Sequence, residues 1–404
     1  MRSDQVDLPS IRVTNLSKRF GRVIALDKVG FLVKNREYIG ILGPSGCGKT
    51  TLIKCIAGIL QPEKGHVYIG DKLVDGAPPE DRGIGYVFQN IALFPHMNVR
   101  DNIGYGLRVK QVDFEESRRL VSETIALIRY NADPGEFPRE LSGGMQQKVA
   151  VARALASRTE LLLLDEPLSA LDAKVRVELR YELRKLVKDL KLTAIHITHD
   201  QEEVMSIADR IIIMKKGQIV EIGTPAQLYF RPKNLFTANF LGEANFIEGE
   251  VQDIQKYTMT IKIKEGIILE APLKAEGQEE TAGEGTENNF PREKKSSATE
   301  FFTNQLVVTA IRPEFISFSK RGSASSVRRR NTIRGKIGER IFSGGTYVYG
   351  LVLENDLHLS CRVPFDESRE MPKQGEEINV TLDPQAMLVF PYPRIGLAKE
   401  ISLE

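Results

Sequence analysis

An α/β core built around a phosphate-binding loop, followed by a separate all-β domain, is the fold class this sequence predicts. Three observations carry it. A Gly-x-x-x-x-Gly-Lys-Thr loop, Gly43 to Thr50, stands between a strand-like apolar run and a helix-like one. A second apolar run, Leu161-Leu162-Leu163-Leu164, ends in two acids, Asp165 and Glu166. Beyond about residue 240, apolar residues alternate with period two and helical spacing becomes scarce.

The loop reads Gly43-Pro44-Ser45-Gly46-Cys47-Gly48-Lys49-Thr50, after Tyr38-Ile39-Gly40-Ile41-Leu42 and before Thr51-Leu52-Ile53-Lys54. Its glycines let successive backbone N–H groups wrap phosphates, and the helix start adds partial positive charge. The pattern places Lys49 at the β- and γ-phosphates and the Thr50 hydroxyl at Mg²⁺. A nucleoside triphosphate, ATP or GTP, is the implied ligand. The competing reading is a glycine-rich turn that binds nothing.

The Leu161 run has the continuous apolar character of a parallel strand covered on both faces. Parallel sheets place ligands at such strand ends. Asp165 is expected in the Mg²⁺ shell, and Glu166 is expected to polarise a water for attack on the γ-phosphate. The bland reading is a strand ending in a turn. A third element, Leu141-Ser142-Gly143-Gly144-Met145-Gln146-Gln147, opens a helix with Ser142 as N-cap. Alone it would be a plain capped helix.

In chain order these elements are the phosphate loop, Gln89, Leu-Ser-Gly-Gly, Asp165-Glu166, Ser169-Ala170-Leu171-Asp172 and Thr198-His199-Asp200. That succession resembles the nucleotide-binding subunit of ATP-binding-cassette (ABC) transporters over roughly residues 11–240. The resemblance implies an α/β P-loop NTPase core over residues 1–240 with an inserted helical subdomain at about 90–157. It makes Phe20 the aromatic that stacks on adenine, against the alternative of a core residue of the first strand. It assigns nucleotide contacts to residues 43–50 and Thr51. Gln89 becomes a contact of Mg²⁺ or its water and a sensor of the transport subunit. Glu166 becomes the general base, and His199 the switch residue at the γ-phosphate. Ser142, Gly143 and Gly144 become the signature that contacts ATP held by an opposite subunit, with Asp172 communicating between the two sites. Met145 and Lys148 depart from the family, which most often has Gln and Arg there.

A phosphate loop and a signature that belong to opposite sites call for a two-fold dimer with two ATP molecules between the halves. Hydrolysis would then open them, a ligand-biased switch. The resemblance further implies integral membrane permeases as partners, an extracytoplasmic solute-binding protein acting through them, and a peripheral position on the cytoplasmic face of the membrane. Residues 90–99 are apolar for a proline-bearing loop. They are read either as tucked into the core or as the groove that receives a permease helix. Asp200 and Glu203 have the spacing of a capping box.

Composition is compatible with this reading. The chain has 404 residues, enough for two or three domains, and a formal net charge of +2, which implies no polyanion partner. No apolar run approaches about 20 residues and no secretory start is seen, so neither a membrane span nor export is expected. Three cysteines, 47, 55 and 361, argue against a disulfide framework. The N–H dipoles around Cys47 are expected to lower its pKa, making alkylation a route to inactivation that ATP blocks.

Strand-like runs after residue 240 lie at 246–251, 258–263, 306–311, 333–341, 347–353, 358–363 and 377–381. Ile311-Arg312-Pro313-Glu314 and Gly242-Glu243-Ala244-Asn245 resemble motifs of the OB-fold-like (TOBE-type) regulatory domain of importer ATPases, expected here over 241–404. A mobile insertion is expected at about 275–300. The polar stretch 320–331, with Arg328-Arg329-Arg330, reads as a solvated loop or a contact for phospholipid or a partner. An importer ATPase is thus set against a soluble ABC protein of translation or DNA repair, and against a nucleic-acid-binding module; no nucleic acid is expected. The Gly242 motif looks more like the polyamine, ferric-iron and anion branch than the sugar branch.

Overall fold

The computed structural model describes residues 10–273, 301–320, 330–354, 356–368 and 371–403. The insertion expected at 275–300, and residues 321–329 of the polar stretch, lie outside these. The chain divides into two compact units, the first ending at Leu228 and the second running Tyr229–Leu403.

The first unit begins with β1 (Ile11–Phe20) and β2 (Val23–Val33), then β3 (Tyr38–Leu42), which feeds the phosphate loop and α1 (Lys49–Ala57). Next come β4 (Lys64–Ile69), β5 (Lys72–Leu73) and β6 (Ile84–Val87). Helices α2 (Val99–Val109), α3 (Phe114–Leu127) and α4 (Gly143–Leu155) precede β7 (Leu161–Asp165). The unit continues through α5 (Ala173–Asp189), β8 (Thr193–Ile197), α6 (Gln201–Ile207), β9 (Arg210–Lys215) and β10 (Gln218–Gly223). The larger sheet has the order β10-β9-β3-β8-β7-β6, parallel except where β10 pairs with β9. A smaller antiparallel sheet has the order β2-β1-β4-β5.

Both sheets and α1 share one core, with Ile11, Val13, Leu26, Ile39, Ile41, Leu52, Ile56, Leu163 and Ile195 buried together. Strands β3, β7 and β8 are buried at every position, which explains their unbroken apolar runs. Because β3, β6, β7 and β8 are parallel, the residues that follow their C-terminal ends collect on one edge. Helices α2 to α4 have a core of their own, made by Ile103, Leu107, Leu120, Val121, Val149 and Ala152. Among the described residues no helix is long and apolar enough to cross a membrane.

The second unit contains three short helices, α7 (Pro225–Phe230), which straddles the division, α8 (Leu235–Phe240) and, near its end, α9 (Leu397–Ile401). It then holds two five-stranded antiparallel sheets around one shared core that includes Ile247, Met259, Val307, Ile337, Tyr349, Leu351 and Val380. All seven expected strands are present within a residue or three at each end. Strands at Ile268–Pro272, Ile316–Lys320 and Leu388–Pro391 were not legible as alternation.

The compact units divide at 228/229, before the expected boundary at 240/241. Leu235 and Ala238 of α8 pack on Val308, Ala310 and Phe390 of the β unit. Arg312, buried at 4 % exposure, donates to the carbonyls of Ala238 (2.7 Å), Gly242 (2.9 Å), Glu243 (3.0 Å) and Tyr229 (3.1 Å). A helix anchored this way belongs to the β unit, although its sequence shows no strand pattern.

Gly40 sets how closely α6 approaches β3. A β-carbon there would overlap Val204 Cγ1, a fully buried atom group of α6. Gly40→Ala is therefore expected to destabilise the full-length protein by about 1–3 kcal/mol through overpacking. The urea midpoint reads this directly, and an unchanged midpoint contradicts it.

Candidate active site

The phosphate loop folds as its glycines require. Gly46 and Gly48 have φ of 76° and 106°, and a β-carbon at Gly43 or Gly48 would strike backbone carbonyls of Met214 or Ala25. Pro44 and Thr51 are half-buried, and Ser45 and Gly46 are exposed. Lys49 starts α1 and is buried, its Nζ donating to the carbonyls of Gly43 (2.7 Å) and Pro44 (3.0 Å). At the other end of α1, Gly58 adopts φ 81°, and Arg82 donates to the carbonyls of Cys55 and Ile56. The C-terminal end of the helix is thereby satisfied.

Asp165 ends β7 beside the loop. One carboxylate oxygen lies 3.5 Å from the Thr50 hydroxyl, and the other accepts from the Tyr86 hydroxyl at 3.1 Å. Burial raises the Asp165 carboxyl above its ordinary range, against the lowering effect of Tyr86, Lys54 and Thr50. Burial also raises the Tyr86 hydroxyl, and the Asp165 charge adds to that. Glu166 has φ 47°, in the left-handed region, and its N–H donates to the Ile197 carbonyl at 2.8 Å. Its Oε2 accepts from Gln89 Nε2 at 2.9 Å and lies 3.3 Å from His199 Nδ1. Gln89, Glu166 and His199 are thus brought together, next to Asp165, Thr50 and the loop.

The other candidates lie elsewhere on the first unit. Ser142 caps α4, accepting the Met145 N–H at 3.3 Å. β-carbons at Gly143 and Gly144 would meet Leu171 and Val175, not the phosphate loop. Asp172 caps α5, accepting the Val175 N–H at 3.1 Å. Phe20 closes β1 and is 49 % exposed, with Lys18 Nζ 5.5 Å from its ring centre, so the core alternative is overturned. Met145 packs on the helical core, and Lys148 pairs with Glu182 at 2.7 Å.

Two expectations are corrected. Only half of the capping box forms: Asp200 accepts the Glu203 N–H, but the Glu203 carboxylate turns to Thr198 and His196 instead. Cys47 is 4 % exposed, and burial raises its pKa, outweighing the lowering by Lys49 and nearby N–H groups. The loop dipoles do not activate it.

Sequence reasoning missed Tyr86 and Asn102. Asn102 is fully buried; its side chain accepts from Phe94 N–H at 2.8 Å and donates to carbonyls of Phe94, Met97 and Asn98. The signal was a lone amide on the apolar face Val99-Ile103-Leu107 of α2. Arg153 also donates to the Ala92 carbonyl at 2.7 Å. The 90–99 loop is thereby fixed, with Ala92, Pro95 and His96 exposed and Leu93, Phe94 and Met97 half-buried.

The pattern of the ABC transporter family matches residues 26–169, and that of the TOBE domain matches residues 309–390. The spermidine/putrescine import ATP-binding protein PotA of Rubrobacter xylanophilus is 34 % identical over 381 residues, covering 94 % of this chain and 93 % of that protein. The chain belongs to the ABC import ATP-binding family. It is an ATP-binding, ATP-hydrolysing subunit of a solute importer. The Fe(3+) ions import ATP-binding protein FbpC of Fusobacterium nucleatum is 43 % identical over 242 residues, 60 % of this chain and 65 % of that protein. Among solved structures, cbiO1 of Clostridium perfringens, part of the ABC transporter complex cbiONQ, has a TM-score of 0.52 at 28 % identity. That match covers 55 % of this chain and 90 % of the other. Nothing in these relatives favours an ABC ATPase of translation or DNA repair, or a nucleic-acid module.

All three thiols of this ABC import ATP-binding protein are buried. Burial pushes Cys55 up to about 11 and Cys361 up to about 12. A thiol reagent at about pH 8 is expected to label the native chain far more slowly than the unfolded chain. Rapid, ATP-protected inactivation through Cys47 is the contrary outcome. The folded Cys55 thiol stays protonated up to about 11, whereas the unfolded one ionises at 9.0. Its contribution to stability is full below the unfolded value and is lost as pH rises between the two; urea midpoints across that window read it.

Proposed function

We propose that this chain works as a two-fold dimer that closes on two ATP molecules and opens on hydrolysis, driving permeases at the cytoplasmic face of a membrane. The observation that carries the reading is the convergence of Gln89 and His199 on one oxygen of Glu166, beside Asp165 and the phosphate loop. Glu166 accepts the proton of the water that attacks the γ-phosphorus, as the bond to ADP breaks. His199 holds the γ-phosphate, and Lys49 with the loop N–H groups of residues 43–50 and Thr51 holds the phosphates. Phe20, exposed at its strand end, stacks on adenine.

The donor set fits Mg²⁺. Thr50 and Asp165 offer hard oxygens that face each other, and Gln89 adds a carbonyl. Among the described residues no group of three His, Cys, Asp or Glu could hold a metal alone. Held by Thr50, Asp165 and Gln89, Mg²⁺ would supply charge neutralisation to the nucleotide phosphates.

Dimerisation is supported by the exposure of Ser142 and Gly143 at the start of α4, with Gly144 half-buried behind them. They are free to meet the ATP of a second copy, with Asp172 next to that junction. The 90–99 loop, fixed by Asn102, is the surface proposed for a permease helix, and through it the importer answers to an extracytoplasmic solute-binding protein. A polyamine is the proposed cargo, supported by the Rubrobacter relative that spans both units. Ferric iron is the second reading, supported by the Fusobacterium relative over the first unit.

Glu166→Gln is expected to lower turnover by about 10²-fold or more while ATP binding persists and ATP-dependent dimers accumulate. Light scattering that finds monomers at saturating ATP overturns the dimer. A pull-down from native membranes with the same variant and ATP is expected to recover integral membrane permeases. Recovery of ribosomes or repair factors alone overturns transport, and uptake of labelled spermidine or ferric iron by the recovered complex separates the cargoes.

A further inference from the structure

Behind His199 lies a group of buried polar side chains that reach neither the phosphate loop nor Glu166. His199 stands between Thr198 and Asp200, and both neighbours are tied to one residue, Glu203 of α6. The Thr198 hydroxyl donates to Glu203 Oε2 at 2.8 Å and accepts the Asp200 N–H at 3.0 Å. Asp200 Oδ1 in turn accepts the Glu203 N–H at 3.1 Å. Thr198 and Glu203 are each 2 % exposed.

The knot is anchored at both ends. The second carboxylate oxygen of Glu203 lies 3.1 Å from His196 Nε2. His196 Nδ1 is 2.8 Å from the Tyr38 hydroxyl, and both residues are fully buried. Tyr38 begins β3, the strand that leads into the phosphate loop. Asp200 also faces Arg176 at 3.7 Å and Arg180 at 3.5 Å. Val204, the next residue of α6, is seated on Gly40 with no room for a methyl group. The His199 side chain itself is 58 % exposed and faces Glu166.

A buried carboxylate is costly to desolvate, and an apolar side chain would fill the same space at less cost. What the carboxylate adds is direction: it holds the Thr198 hydroxyl, which in turn accepts the Asp200 N–H on the other side of His199. We propose that Glu203 is the positioning residue that aims His199 at the γ-phosphate, acting through Thr198 and Asp200 and touching no reacting atom itself. The inference rests on the role proposed above for His199.

Steady-state ATPase kinetics of the full chain test it, with Glu203→Leu, Glu203→Gln and Thr198→Val made alone and Glu203→Leu also combined with His199→Ala. Misplacement of a catalytic group by about 1 Å can cost about 10²-fold. Glu203→Leu and Thr198→Val are thus expected to lower kcat by about 10- to 100-fold, with KM for ATP little changed. Glu203→Gln keeps an acceptor for Thr198 and is expected to restore most of kcat. In the His199→Ala background, Glu203→Leu is expected to cost less than about twofold, because the residues act as one unit. Losses that multiply with His199→Ala, or a raised KM at constant kcat, overturn the inference. Thr198→Val, nearly the same shape as the native residue, decides the matter if Glu203→Leu does not fold. If His199→Ala leaves kcat unchanged, the role of His199 fails and the inference with it. If His199→Ala is impaired while Thr198→Val and folded Glu203→Leu are normal, only the inference fails.

Discussion

The N–H of Glu166 donates to the carbonyl of Ile197, and the site depends on that one bond. On a continuing strand, Asp165 and Glu166 would point to opposite faces of the sheet. The bond holds Glu166 at φ 47°, a conformation that costs about 1–3 kcal/mol for a residue with a side chain. The turn lets Asp165 reach Thr50 and Tyr86 while Glu166 reaches Gln89 and His199. The cost is offset by β7 and β8, whose parallel pairing sets Asp165 opposite Ile197 within a fully buried sheet.

Two adjacent carboxylates thereby receive different surroundings. Asp165 is buried and accepts from hydroxyls, a setting for holding a hard cation. Glu166 is met by an amide and an imidazole, groups that fix the orientation of one oxygen while the carboxylate remains reachable. The hydrolysis proposed above needs both roles within a few ångströms, and the backbone turn would supply them from consecutive residues.

The elements defined by local chemistry were legible in the sequence. The phosphate loop, the all-apolar β7, the cap at Ser142 and seven alternating strands could be read because each depends on residues close in the chain. Features set by distant packing could not. The Arg312 contacts that carry α8 to the β unit, the Tyr86 bond to Asp165 and the Glu203 carboxylate turned to Thr198 and His196 all depend on partners brought close by folding. Cys47 shows the same limit from the other side. The loop dipoles were visible in the pattern; the burial that outweighs them was not.

Lys49 draws a last consequence from its own loop. Its ammonium is bonded to the carbonyls of Gly43 and Pro44, so the nucleotide contact proposed for this side chain would be an exchange, carbonyl partners being traded for phosphoryl oxygens. An exchange conserves the number of bonds and gains mainly from the charge of the incoming oxygens. In the complex proposed above the lysine would act less as a source of raw affinity than as a discriminator, rewarding a polyanion over a neutral ligand of equal size.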